Sequence, residues 1–207
     1  MKDLLLYVAD ADAQAFMKSI LGRPQALAIR PITFEIERHP QRDSGMVQSG
    51  AELTRMKKGR YKKALLIWDH HGSGRDHKQL PEEVRKEIQS KLDSFTWEDK
   101  SSVHILAPEL EQGLWFCESA LLAHCDLAAD PLRIWLEERS NKTGKSVDDL
   151  KTEQPKELFE FVMRERLRRT ISPRDFEEIG RRAGVNGLME CETFCSIVKI
   201  LRVWFPQ

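Results

Sequence analysis

The chain has little of what would narrow its class at once. Its 207 residues include only four cysteines, Cys117, Cys125, Cys191 and Cys195, too few and too unevenly spaced for a disulfide scaffold, so a reducing, cytoplasmic setting is expected. No apolar run approaches the length of a membrane span, and Leu4-Leu5-Leu6-Tyr7-Val8 is too short for a signal-peptide core, so no membrane partner is expected. There is no charge excess of either sign: 33 basic side chains face 33 acidic ones, which excludes a generally basic nucleic-acid coat protein and an acidic disordered tail. Internal repeats and low-complexity tracts are also missing. The length fits one ordinary globular domain or two small ones, able to bury about 70% of the unfolded surface without a disulfide or metal staple.

What is present is an alternation of strand and helix signals. Residues 4–8 are continuously apolar and read as a buried strand of the kind parallel sheets contain. Residues 32–37 alternate, with Ile32, Phe34 and Ile36 directed inward and Thr33, Glu35 and Glu37 outward. Residues 64–68 are the clearest central strand, and residues 103–107 form a fourth that Pro108 stops. Between them lie a helix capped by Asp10 or Asp12 and carrying Phe16, Met17, Ile20 and Leu21, and a helix that follows the polar loop 39–45 and is closed by the basic run 57–63. A third helix starts at Pro81, with Val84, Ile88 and Leu92 on one face.

This order predicts an α/β fold, a three-layer domain with a mostly parallel four-stranded sheet over residues 1–110. Residues 111–207 show only helical signals, at 114–122, 131–138, 155–168, 173–182 and 192–204, with the polar stretch 141–149 as a flexible connection. This all-helical C-terminal part packs on the sheet domain or extends it. Basic clusters at 57–63 and at 164–169, with Arg174, Arg181 and Arg182, either follow a phosphate backbone or form solvated helix faces.

In open parallel sheets, ligands collect beyond the carboxyl ends of the strands. Three of the four strands end in acids here: Asp10 with Asp12 after the first, Asp69 after the third, Glu109 with Glu111 after the fourth. Side by side, these hard oxygen ligands suit Mg²⁺ or Mn²⁺. Singly, each acid is also a good helix cap or turn residue. The histidines and cysteines, Asp69-His70-His71 with His77 or His124-Cys125 with Cys117, lack zinc-ligand spacing, and Cys191 and Cys195 sit four apart on an apolar helix as core residues do.

Several segments together resemble a known group. Leu5-Leu6-Tyr7-Val8-Ala9-Asp10, His39-Pro40-Gln41-Arg42-Asp43-Ser44-Gly45, Leu65-Leu66-Ile67-Trp68-Asp69-His70-His71-Gly72-Ser73-Gly74 and Pro108-Glu109-Leu110-Glu111 with Trp115 look like the small TOPRIM-like proteins of bacterial anti-phage systems. Gln154-Pro155-Lys156-Glu157 and Arg202-Val203-Trp204-Phe205-Pro206 extend the resemblance, which is closest to a component of the methylation-associated defence system. TOPRIM nucleases and topoisomerases hold Mg²⁺ with a glutamate after the first strand and an Asp-x-Asp pair after the third. The resemblance therefore assigns Asp69 the first aspartate role and Glu109 a later metal-binding one. Ala9 stands where the glutamate would be, with Asp10 next to it, and His71 stands where the second aspartate would be. Asp10-Ala11-Asp12 and Asp69-His70-His71, with Asp43 between, are also similar to the motifs of the DHH phosphoesterases, which work with two Mn²⁺ ions.

The resemblance implies a cytoplasmic subunit of a multi-gene defence system that cleaves or senses DNA or RNA alongside other subunits. On this reading Asp10, Asp69, Glu109 and Glu111 hold Mg²⁺ or Mn²⁺. Asp69, Glu109 and His71 are the catalytic set, and His39, Arg42 and Arg75 contact phosphate. The rival expectation, motivated by the departures at Ala9 and His71, is a non-catalytic adaptor that docks a larger nuclease, ATPase or methyltransferase.

Overall fold

The computed structural model describes all of residues 1–207. Four strands, β1 (Lys2–Val8), β2 (Phe34–Arg38), β3 (Tyr61–Asp69) and β4 (Ser101–Leu106), form one sheet in the order β2-β1-β3-β4, and every pairing is parallel. The first half contributes helices α1 (Ala11–Leu21), α2 (Pro24–Leu27), α3 (Arg42–Arg55) and α4 (Pro81–Leu92). The second half is helical throughout: α5 (Glu111–Trp115), α6 (Glu118–Cys125), α7 (Ala129–Thr143), α8 (Val147–Glu153), α9 (Pro155–Glu160), α10 (Pro173–Arg182), α11 (Val185–Leu188) and α12 (Glu192–Trp204). No helix is long and apolar enough to cross a membrane.

The period-two geometry of the strands divides the interior in two. Leu4, Leu6 and Val8 of β1 and Leu65 and Ile67 of β3 face one side, where they join Phe16, Met17 and Ile20 of α1. Leu5, Tyr7, Leu66, Trp68, Val103 and Ile105 face the other, against Met46, Val47 and Ala51 of α3 and Val84, Ile88 and Leu92 of α4. The helical half completes the first side: Leu114, Leu121, Phe159, Phe176, Ile179, Phe194 and Ile197 belong to the same cluster as the sheet residues. Three layers result, and the C-terminal helices share a core with the sheet. Asp3 anchors the lower edge, where its carboxylate accepts from Arg30 and Lys62, each at 2.9 Å, and from the Thr33 amide at 2.9 Å.

Several boundaries differ from the sequence expectation, each for a local reason. The basic run 57–63 does not close the second helix: α3 stops at Arg55, and Tyr61, Lys62 and Lys63 begin β3, where Tyr61 is buried and donates to Glu35 at 2.5 Å. Strand β2 is half-buried on both faces, because Glu35 and Glu37 are held by Lys2 and Lys57, each at 2.7 Å. The segment 114–122 is broken at Phe116 and Cys117, where the Gly187 Cα packs so closely that an added Cβ would lie 2.7 Å from the Phe116 carbonyl oxygen. The stretch 141–149 is a tight helix junction. Gly144, at φ +72, ends α7, and the Ser146 hydroxyl caps α8 by accepting from the Asp149 amide at 3.0 Å. Helices α2, α8 and α11 are too short to show a hydrophobic period.

The seam between the halves gives a direct test. A Cβ added at Gly113 on α5 would lie 2.4 Å from the buried Phe194 ring of α12. Gly113→Ala is expected to destabilise the whole chain by about 1–3 kcal/mol, as overpacking does, in a single cooperative urea transition. Two separated transitions would show that the halves fold independently.

Candidate carboxylate site

The strand order reverses between β1 and β3. The chain leaves β1 for β2 on one flank, then crosses to the other flank to lay down β3 and β4. This switch point leaves a crevice beyond the carboxyl ends of β1 and β3, where connections diverge and do not cover the sheet. The register sets Val8 beside Ile67, so Asp10 and Asp69 emerge close to one another.

Each acid is held by its own element. Asp10 is the N-cap of α1, its Oδ1 accepting from the Ala13 amide at 2.9 Å, and Asp12 follows in the first turn. Asp69 is the last residue of β3, and its Oδ1 accepts from the Leu110 amide at 3.0 Å. The Asp69 amide in turn donates to Asp43 Oδ1, at 2.9 Å, from the first turn of α3. Glu109 and Glu111, beyond β4, are 6% and 7% exposed, so neither carboxylate has bulk water to stabilise its charge. Lys156, in the first turn of α9, places Nζ 3.7 Å from Glu109 Oε1, and His71 Nδ1 lies 3.1 Å from the same oxygen.

Proton affinities report the crowding. Burial pushes Asp69 well above the usual carboxylate range, and the charges of Glu111, Asp43, Asp10 and Glu109 push it further. Burial raises Glu111 to about 7 against the pull of Lys156, and burial with Asp10 raises Asp12 to about 6. Asp43 and Glu109 also rise, chiefly through burial. The cluster therefore holds protons near neutrality unless positive charge is added. Lys156 is the chain's own contribution, its pKa raised by Glu109, Glu111 and Asp69 despite burial.

The structure thus brings together Asp10, Asp69, Glu109, Glu111 and His71, and it places His39 and Arg42 in an adjoining cleft that Asp10 also lines. His39 is buried with both ring nitrogens engaged: Nδ1 accepts from the Gln41 amide at 3.1 Å, so Nε2–H donates to the Ser49 hydroxyl at 2.9 Å. It shapes the loop and has no free nitrogen for a phosphate, contrary to the expectation from sequence. Arg75 is likewise committed, to Gln79 and to Glu87 at 3.4 Å. Arg42 is exposed and unpaired. In the arginine cluster of the helical half, Arg164, Arg166, Arg181 and Arg182 pair with Glu160, Glu138, Glu177 and Glu178, which makes those positions a neutralised helix face. Cys117 Sγ donates to the Gly184 carbonyl and burial raises its thiol to about 11, while His124 pairs with Asp175 at 2.8 Å, so a zinc site there has no support.

Lys156 is the member that sequence reasoning overlooked. A signal existed: Pro155 opens a helix, and a lysine directly behind it sits at the end of the helix dipole that disfavours cations unless something else holds it. No group of three or more His, Cys, Asp or Glu side chains is arranged to hold a metal ion as the side chains stand. The donor chemistry still fits a hard cation, since five carboxylates share a crevice with too little positive charge. No family model matches the chain, and neither a curated protein nor a solved structure does.

A buried acid with a raised pKa keeps its proton in the folded state while the unfolded chain releases it, so the fold loses stability as pH rises from about 4.5 to about 7 and then levels off. Glu111→Gln is expected to flatten this slope and to stabilise the chain by about 1–3 kcal/mol at pH 8 relative to pH 4.5. Urea melts at the two pH values measure it, and parallel profiles for parent and variant would remove Glu111 from the set of buried proton carriers.

Proposed function

We propose that the chain performs divalent-cation-dependent phosphoryl chemistry at this crevice, cleaving or sensing phosphodiesters as a TOPRIM-like subunit of a bacterial anti-phage system. The observation that carries the proposal is Asp69. It lies at the topological switch point, bonded to the Leu110 amide, with Asp10, Asp43, Glu109 and Glu111 around it. A bound Mg²⁺ or Mn²⁺ would supply charge neutralisation, polarisation of phosphate oxygens and an activated water. Asp10, Asp69, Glu109 and Glu111 are the residues that would hold it.

The rest of the site supports that task with the chain's own groups. Asp43 holds the Asp69 backbone amide and so fixes the end of β3. His71 stands at the rim, exposed on one side and with Nδ1 3.1 Å from Glu109 Oε1 on the other, where an imidazole can take or return a proton. Lys156 offsets part of the anionic charge and would be drawn toward phosphate once the carboxylates are neutralised. A DHH-type manganese phosphoesterase would use the same Asp10, Asp12, Asp43 and Asp69, and differs from this reading in substrate more than in chemistry.

One observation favours a second reading. Lys156 already lies among the acids, as a structural counter-ion would in a protein that keeps the fold and docks a larger effector.

A cation present at a hundred times its dissociation constant adds about 2.7 kcal/mol, which in a chain of this size raises Tm by roughly 5–10 °C. Mn²⁺ is expected to produce such a rise in the parent, with metal-dependent cleavage of DNA or RNA. Asp69→Asn should abolish both while remaining at least as stable as the parent in EDTA. If Asp69→Asn responds to Mn²⁺ as the parent does, its role as a ligand is lost. An unresponsive parent that co-purifies with a nuclease, ATPase or methyltransferase would establish the adaptor reading instead.

A further inference from the structure

Beside Asp10, where β1 and β2 end and α3 begins, lies a cleft of about 580 Å³ lined by Asp10, Glu37, Arg38, His39, Pro40 and Arg42, among others. Its charges are unusual for this molecule. Glu37 is neutralised by Lys57 at 2.7 Å, whereas Arg38 and Arg42 are exposed and have no ion pair, hydrogen-bond acceptor or aromatic partner for their guanidinium groups. Most other arginines are engaged: Arg23 with backbone carbonyls, Arg30 with Asp3, Arg85 with Glu82, Arg139 over Phe161. Two free planar forks in one cleft, facing one carboxylate that already caps α1, leave an excess of positive charge.

The backbone there is already satisfied. Helix α3 is 14 residues long, and Gln41 at its N-cap supplies no side-chain acceptor. The amides of Gln41 and Arg42 are instead taken by His39, through Nδ1 and the carbonyl oxygen at 3.1 Å each, and Asp43 stands in the first turn, so recognition in the cleft falls to the side chains. The segment is also rigid. Besides its two nitrogen contacts, the His39 ring meets Tyr7 edge-on at 6.0 Å and lies so close to Gly45 that an added Cβ would be 2.1 Å from Nδ1. Arg42 itself is held at φ +51, a left-handed conformation that residues with a side chain adopt only when their surroundings impose it.

We infer that this cleft is an anion subsite for one phosphate group of a nucleic-acid strand or a free nucleotide, gripped by Arg38 and Arg42. It sets that phosphate beside Asp10. The inference rests on the proposed phosphoryl chemistry for what then happens to the phosphate, but the subsite is measured without any cleavage.

The test is fluorescence anisotropy in EDTA with a short, labelled single-stranded DNA, with AMP and inorganic phosphate as competitors. The Arg38→Gln/Arg42→Gln double variant should bind at least tenfold more weakly. Its log–log salt slope should be smaller by about 0.7, the value for one lost phosphate contact on a single strand. Arg174→Gln, exposed on α10, should stay within twofold of the parent. Competition by AMP and phosphate at millimolar concentration would assign the subsite to a free phosphate group, and its absence to the strand. A parent that binds none of the three probes, or a double variant that binds like the parent, overturns the inference. Arginine-dependent binding in a parent without a Mn²⁺ response would keep the subsite and remove the cation reading, while a Mn²⁺ response with arginine-independent binding would do the reverse.

Discussion

The parallel pairing of β1 with β3, two strands separated in sequence by a whole β-strand and three helices, is the constraint on which the upper edge of the sheet depends. Because β2 lies on the far flank, the connections out of β1 and β3 run to opposite faces and leave the gap between them open. Asp10 and Asp69 are at that gap by topology, and α3 and the turn after β4 bring Asp43, Glu109 and Glu111 to it. Placing so many like charges where water is scarce opposes folding, and the core opposes it in turn. Leu4, Leu5, Leu6, Val8 and residues 64–68 are almost completely buried, enough apolar area to hold the strands together against the repulsion at their ends.

The zero net charge acquires a physical meaning from this arrangement. Through most of the helical half, acids and bases cancel locally, as in Arg166 with Glu138 and Arg182 with Glu178. At the crevice they do not: carboxylates outnumber the one ammonium beside them. Unneutralised guanidinium groups lie one loop away, beyond His39. Anionic and cationic fields therefore stand side by side on one edge of the sheet, the geometry in which a polyanion and a small cation are attracted to neighbouring places.

Much of this was legible in the sequence. Strand positions followed from continuous apolar runs and, for β2, from alternation, and Pro81, Pro173 and Glu192 marked helix starts that the structure places at the same residues. Three strand-end acids were readable because topology alone brings them together. What could not be read was side-chain commitment. His39 and Arg75 have the right chemistry for phosphate, yet one is bonded to Ser49 and the other to Glu87, and such pairings across 10 or 12 positions leave no periodic trace. Lys156 was missed for the opposite reason. It lies 47 positions beyond Glu109, in a different half of the chain, and only the shared core on the α1 side of the sheet brings it into range.

That shared core bears on how the chain emerges from the ribosome. The sheet is complete once β4 has been made, but the core on the side of Leu4, Leu6, Leu65 and Ile67 is closed only when α12 packs along β4 and α10 packs on α1. At about 5–20 residues per second, the remaining hundred or so residues take roughly 5–20 s to appear. Throughout that interval the apolar surface of α1 and of β4 on that side lacks its cover and the strand-end acids lack their lysine. The nascent amino-terminal half is therefore both adhesive and electrostatically unfinished, and its maturation waits on the last helix.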